Sequence, residues 1–92
     1  MIVYAECCFF ISEAASLKDK RSVLKRMTDR VKNSYNVSIA EIDHQDLWQR
    51  TTIALVAIAS SKDAAEREVR RAIGFLESNP EWQMSDMTLN YY

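Results

Sequence analysis

Apolar and polar residues alternate from Ile2 to Ile11, with Val3, Ala5, Cys7, Phe9 and Ile11 in one phase and Tyr4, Glu6, Cys8 and Phe10 in the other. A period of two is that of a strand whose faces meet different surroundings, and Glu6 marks the second face as the wetter one. The period then changes. Ser16, followed three residues later by Asp19, forms a variant capping box, after which Leu17, Leu24, Met27, Val31 and Tyr35 recur at helical spacing, with Lys20 breaking the apolar row. This predicts a helix of about 18 residues. Val37 to Asp43 reads as a second strand, His44 to Gln49 as a polar connection, and Arg50 to Ser60 as a third strand around the β-branched run from Thr51 to Ala59. The second and third strands should pair antiparallel. A second helix starting at Asp63 buries Ala65, Val69, Ala72, Ile73 and Leu76, and Ser78-Asn79-Pro80 ends it. A last strand runs from Glu81 onward. Its apolar phase slips between Trp82/Met84 and Met87/Leu89/Tyr91, which predicts a bulge near Ser85 and Asp86.

The order βαββαβ is the split βαβ pattern of ferredoxin-like folds. The expected architecture is an α+β sandwich, a four-stranded antiparallel sheet with two helices on one face, with residues 1–92 as a single domain. The other sheet face is left open. It would carry Tyr4, Glu6, Cys8 and Phe10 beside Thr52, Ala54, Val56 and Ile58, which is apolar enough to call for a cover. A homodimer is therefore expected through that face, with Tyr4, Cys8, Phe10, Val56 and Ile58 at its centre, or through the carboxy-terminal edge strand. The alternative is that Asn90-Tyr91-Tyr92 half covers it.

Composition narrows the function classes. The apolar runs Cys7–Ile11 and Ile53–Ala59 fall far short of the roughly 20 residues that cross a bilayer. Glu6 stands where the apolar core of a signal peptide would run, so a cytoplasmic protein without a membrane partner is expected. The adjacent Cys7 and Cys8 point to opposite faces of a strand and cannot pair with each other, so both should be reduced. The single glycine, Gly74, lies in a helical pattern. No phosphate-cradling loop, dinucleotide fingerprint or GXXG clamp is present, and no cofactor is expected.

Charge is distributed unevenly. The net charge is −1, yet Lys18 to Lys32 holds seven basic residues against Asp19 and Asp29. Lys18, Arg21, Lys25 and Lys32 share one stripe of the first helix, an electrostatic footprint for phosphate. Lys18, Lys20 and Arg21 also stand at the positive end of the helix dipole, where an anion would offset the repulsion. Lys18, Lys20, Arg21, Lys25 and Lys32 are accordingly the candidate RNA-phosphate residues. The alternative is a solvated face paired with acids of the second helix or of another subunit. Stacking of bases on the open sheet needs aromatics on both central strands, and the third strand offers none, so that mode of RNA recognition is rejected.

Glu41 to Arg50 is the most unusual stretch. Asp43, His44 and Asp46 could be imagined around a divalent ion. A lone histidine without a second ligand at metal spacing or a nucleophile beside it is a weak basis for chemistry, and no metal site is assigned. Turn chemistry explains most of the stretch: Asp43 and Asp46 capping the turn, Trp48 packing on the sheet, Arg50 pairing with Glu41. The remaining reading is a partner-recognition hairpin of Asp43, His44, Gln45, Asp46, Trp48 and Arg50.

Taken together, Ser16-Leu-Lys-Asp-Lys-Arg21, Asn36-Val-Ser-Ile-Ala-Glu-Ile-Asp43 and Gln45-Asp-Leu-Trp-Gln-Arg50 resemble the YlxP-like family of bacterial proteins of unknown function. The resemblance extends over essentially the full length, to Phe75-Leu-Glu-Ser-Asn-Pro80. It implies a ferredoxin-like domain and, through gene neighbourhoods shared with translation-initiation and ribosome-maturation factors, a link to RNA or ribosomal particles. It brings no catalytic residues. Ser12-Glu-Ala-Ala15 departs from the proline- or glycine-containing loop usual before the first helix. The sequence thus favours a binding protein over an enzyme: RNA or a ribosomal particle as partner, no DNA, and a homodimer, with a protein-interaction module as the alternative.

Overall fold

The computed structural model describes residues 1–92. The chain runs β1 (Ile2–Phe10), α1 (Leu17–Ser34), β2 (Ser38–Asp43), β3 (Arg50–Ile58), α2 (Lys62–Glu77) and β4 (Gln83–Tyr91). The four strands form one antiparallel sheet in the order β2-β3-β1-β4, with β1 and β3 at the centre. This is the ferredoxin-like arrangement that the element order predicts.

The alternation in β1 is realised as expected. Val3, Ala5, Cys7 and Phe9 are buried under the helices together with Ile53, Leu55 and Ala57 of β3, while Tyr4, Glu6, Cys8 and Phe10 face away. The β1–β3 register is unbroken from Ile2↔Ile58 to Phe10↔Arg50. Between β1 and β4, Asp86 lies opposite Cys8 and Met84 opposite Phe9, so Ser85 is the extra residue of a bulge. Its hydroxyl donates to the Cys8 carbonyl at 3.3 Å. The bulge resets the phase, so that Met84 lies against the core on one side of it and Met87 and Leu89 on the other.

Trp82 precedes β4 rather than belonging to it. The indole stacks on Phe9 at 4.3 Å between centroids, and its N–H donates to the Leu76 carbonyl at 2.6 Å. One side chain therefore fixes the end of α2, the entry to β4 and the end of β1.

Both helices are capped by serine. Ser16 Oγ accepts from Asp19 N at 3.1 Å, and Ala15 N donates to Asp19 Oδ2 at 3.0 Å, a variant of the capping box in which aspartate replaces glutamate and reaches the amide before the cap. Ser61 accepts from Ala64 N, which starts α2 at Lys62, one residue earlier than Asp63. From α2, Ala65, Val69, Ala72, Ile73 and Leu76 are buried, and from α1, Val23, Met27 and Val31. Truncating a residue such as Leu76 to alanine at this seam would cost about 2–5 kcal/mol.

Burial also governs Cys7, whose thiol is pushed up to about 12 by desolvation first and by nearby Glu77 and Cys8 second. Both cysteines are free thiols. No helix is long and apolar enough to cross a membrane.

Candidate functional site

The basic residues of α1 separate into three groups. Lys18, Arg21, Arg30 and Lys32 are exposed and enter no ion pair within 4 Å. Lys25 and Arg26 are exposed and paired, Lys25 with Asp29 one turn on at 2.7 Å and Arg26 with Glu81. The hydrogen bond to Asp29 raises the Lys25 pKa and lowers that of Asp29, a direction that keeps both charged. No acid of α2 pairs with this stripe, and Glu66 and Glu68 pair with Arg70 and Arg71 of their own helix.

Lys20 is the exception, and the expectation that it holds phosphate is corrected. It is fully buried. Its ammonium lies 2.9 Å from Glu41 Oε2 and donates to the His44 carbonyl at 2.5 Å and, less closely, to the Gln45 carbonyl at 3.4 Å. The residue that breaks the apolar row occupies a core-facing position because its charge is neutralised there, and Glu41 also accepts from the Thr51 hydroxyl at 2.6 Å. The dipole repulsion at the start of α1 is met in part from within the chain, since the Asp19 carboxylate already sits over the first turn. An incoming anion would bind the exposed stripe rather than the helix end. A cavity of about 280 Å³ beside that end is lined by Glu13, Asp19 and Glu81, which disfavours phosphate there.

Lys20 also shapes the hairpin. His44 adopts a left-handed backbone with φ 62°, a conformation uncommon for residues with a side chain. Leu47 N closes the turn onto the His44 carbonyl at 3.1 Å, and Asp43 Oδ1 accepts from His44 N at 2.8 Å, so Asp43 caps the turn as expected. At the far side, Ile11 N donates to the Gln49 carbonyl at 2.8 Å and Gln49 Nε2 donates to the Ser12 carbonyl at 3.1 Å. The loop is thus tied to α1 by Lys20 and to the β1–α1 connection by Gln49.

With its inner side tied down, the hairpin presents its outer side to solvent. Trp48 is 52% exposed and Leu47 47% exposed, and Trp48 stands beside Phe10 and Arg50 at the end of the open sheet face. Arg50 does not pair with Glu41, whose carboxylate is taken by Lys20 and Thr51. Arg50 instead stands opposite Phe10 in the ladder, without an acid partner, and the two residues line a cavity of about 430 Å³ with Leu47, Trp48 and Asp46. Asp43, His44 and Asp46 do not converge: no three acidic, histidine or cysteine side chains are grouped as metal ligands.

The open face of the sheet is less uniform than its sequence suggests. Thr52 and Ala54 at its middle are buried, and Tyr4 OH donates to Glu6 Oε2 at 2.8 Å there. Apolar exposure collects at the two ends. Ile58, 69% exposed, groups with Ile2, Val56 and Tyr92 at one end, while Phe10 lies with Trp48 at the other. Of the residues expected at the centre of a dimer face, Tyr4, Val56 and Ile58 lie together, Phe10 lies at the opposite end, and half-buried Cys8 stands between them beside Thr52.

The fold and these surfaces define a ferredoxin-like α+β domain with a basic helix face and a pinned, exposed hairpin. Solved structures agree on the fold. The designed protein Foldit4 matches all of the chain and 99% of its own at a TM-score of 0.63 and 15% identity, and the structural-genomics protein YJCS matches to the same extents at 0.61 and 7%. A designed protein titled with a ferredoxin fold, LFR1 1, matches at 0.56 and 16% identity over 87% of its length.

Residues 2–89 match the family described as "Protein of unknown function (DUF503)". "Uncharacterized protein YlxP" of Bacillus subtilis (strain 168) is 51% identical over 81 residues, 88% of either chain. The chain belongs to this family.

Proposed function

We propose that the protein is a non-enzymatic binding protein that holds RNA phosphate, such as that of a ribosomal particle, along the exposed face of α1. The observation that supports this reading is the absence of internal acid partners for Lys18, Arg21 and Lys32 on one stripe, while Glu66 and Glu68 of α2 are engaged by arginines of their own helix. Lys25 completes the stripe, since an exposed pair with Asp29 is worth too little to withhold it from a phosphate.

The test is binding of ribosomal RNA fragments across a salt series, paired with co-sedimentation with ribosomal particles. Arg21→Glu/Lys25→Glu should abolish co-sedimentation and flatten the salt dependence, by about 0.9 in log–log slope for each lost contact on duplex or about 0.7 on single strands. Unchanged affinity and slope in the variant would overturn the reading.

A second reading, self-association through the open face, is favoured by the exposed cluster of Ile2, Val56, Ile58 and Tyr92. It predicts a dimer in sedimentation equilibrium that Val56→Lys/Ile58→Lys converts to a monomer. A wild-type monomer at high concentration would sink it.

A further inference from the structure

We propose that the cavity between Phe10 and the hairpin takes an unpaired nucleotide of single-stranded RNA, with Trp48 as the stacking platform. The inference rests on the RNA reading above and narrows its substrate class. Trp48 and Phe10 bring two exposed rings to one cavity of about 430 Å³, Leu47 adds an apolar wall, and Arg50 supplies a guanidinium without an acid partner. This combination serves a nucleotide: a base stacks on an indole whatever its identity, a free arginine pairs with phosphate, and the Asp46 carboxylate can accept from an exocyclic amine.

Position adds a second line of support. The ammonium of Lys20 reaches the His44 carbonyl at 2.5 Å, so the start of α1, with Lys18 and Arg21, lies at the same end of the molecule as the hairpin. Duplex RNA cannot deliver a base to the cavity, because its bases are stacked inside. The two bonds that tie the loop, from Lys20 and from Gln49, hold the platform in place before binding and so reduce the ordering cost.

The experiment uses the intact chain carrying Trp82→Phe, which leaves Trp48 as the single tryptophan, excited selectively over tyrosine; a thermal melt checks that the fold survives loss of the Trp82 N–H bond to the Leu76 carbonyl. The probes are a ten-nucleotide polyadenylate strand and a blunt RNA duplex of equal length. The single strand is expected to quench Trp48 emission, while the duplex binds without quenching. In the otherwise wild-type chain, Trp48→Ala should weaken single-strand binding about tenfold and leave the salt slope and duplex binding unchanged, whereas Arg21→Glu/Lys25→Glu should flatten the slope for both probes. Trp48 is half exposed, so its truncation leaves the core intact. Salt-dependent RNA binding that Trp48→Ala does not weaken would overturn the nucleotide site and leave the basic-helix reading standing. No binding of either RNA would overturn both, and retention of a protein partner that Trp48→Ala abolishes would then assign the cavity to protein recognition.

Discussion

Replacing Lys20 by methionine removes one charge from the interior while keeping most of the volume. At 2.9 Å from Glu41, an ion pair at an effective dielectric near 20 is worth about 6 kcal/mol of Coulomb energy. Desolvating the ammonium costs several kcal/mol in the other direction, so the intact pair contributes little net stability. The asymmetry appears when one partner is deleted. Glu41, only 15% exposed at its side chain, keeps the Thr51 hydroxyl as its partner, while the Gln45 carbonyl loses its side-chain donor and the His44 carbonyl keeps only Leu47 N. Breaking a buried pair from one side costs about 3–5 kcal/mol, and the residual water access of Glu41 places this case near 3. For a chain of this size that corresponds to a fall in Tm of roughly 12–24 °C.

Urea denaturation is the assay, read as a shift in midpoint at constant slope. Glu41→Gln should cost a similar amount, since it leaves the ammonium buried. Lys20→Met/Glu41→Leu should recover most of the loss, giving a coupling energy of about 2 kcal/mol or more. Hydrogen exchange adds a local readout, because amides from Gln45 to Gln49 should lose protection in Lys20→Met. A loss below 1 kcal/mol, with loop exchange unchanged, would refute the assignment of Lys20 as the bond that fixes the hairpin.

Three further outcomes are expected. Gly74 lies on the exposed side of α2 with open space where a Cβ would stand, so Gly74→Ala should stabilise the protein by about 0.5–1 kcal/mol in the same urea assay. In the native protein at pH 8, a thiol reagent should modify Cys8 in preference to Cys7, and Cys7 should react only on unfolding. The Cys7 thiol, near 9 when unfolded and about 12 when folded, binds its proton more tightly in the native state. Its contribution is therefore complete below pH 9 and is lost as pH rises toward 12, an alkaline destabilisation that Cys7→Ala should reduce when stability is followed against pH.

Much of the fold was legible because each element declares its period. Alternation through β1, the capping box at Ser16, the slip of phase at Ser85 and the proline after α2 are local signals, and each corresponds to a feature of the structure. The site was less legible because it depends on contacts between distant residues. Lys20 follows the helical spacing of Leu17, Leu24 and Met27, a clue that it faces inward, but only the arrival of Glu41 and the His44 carbonyl from another element shows what neutralises it. The same pairing leaves Arg50 free, which reverses the cross-hairpin pair that turn chemistry suggested. Trp48 reads from turn chemistry as packing on the sheet, whereas the tied backbone of the loop leaves it half exposed beside Phe10.

The register of β1 with β4 carries a consequence for how the chain reaches this state. Val3 lies opposite Tyr91, so that ladder joins the two ends of the sequence and requires closure of nearly the whole chain. Its entropic cost precedes any reward, which makes it a late event. Before it forms, β1 can already pair with β3 through the shorter closure that also contains α1 and β2, leaving the opposite side of a central, mostly apolar strand without a neighbour. That interval is when one chain can take the place of another's fourth strand, so concentration during refolding, more than temperature, should decide how much of the protein is recovered as monomer and how much as strand-exchanged aggregate.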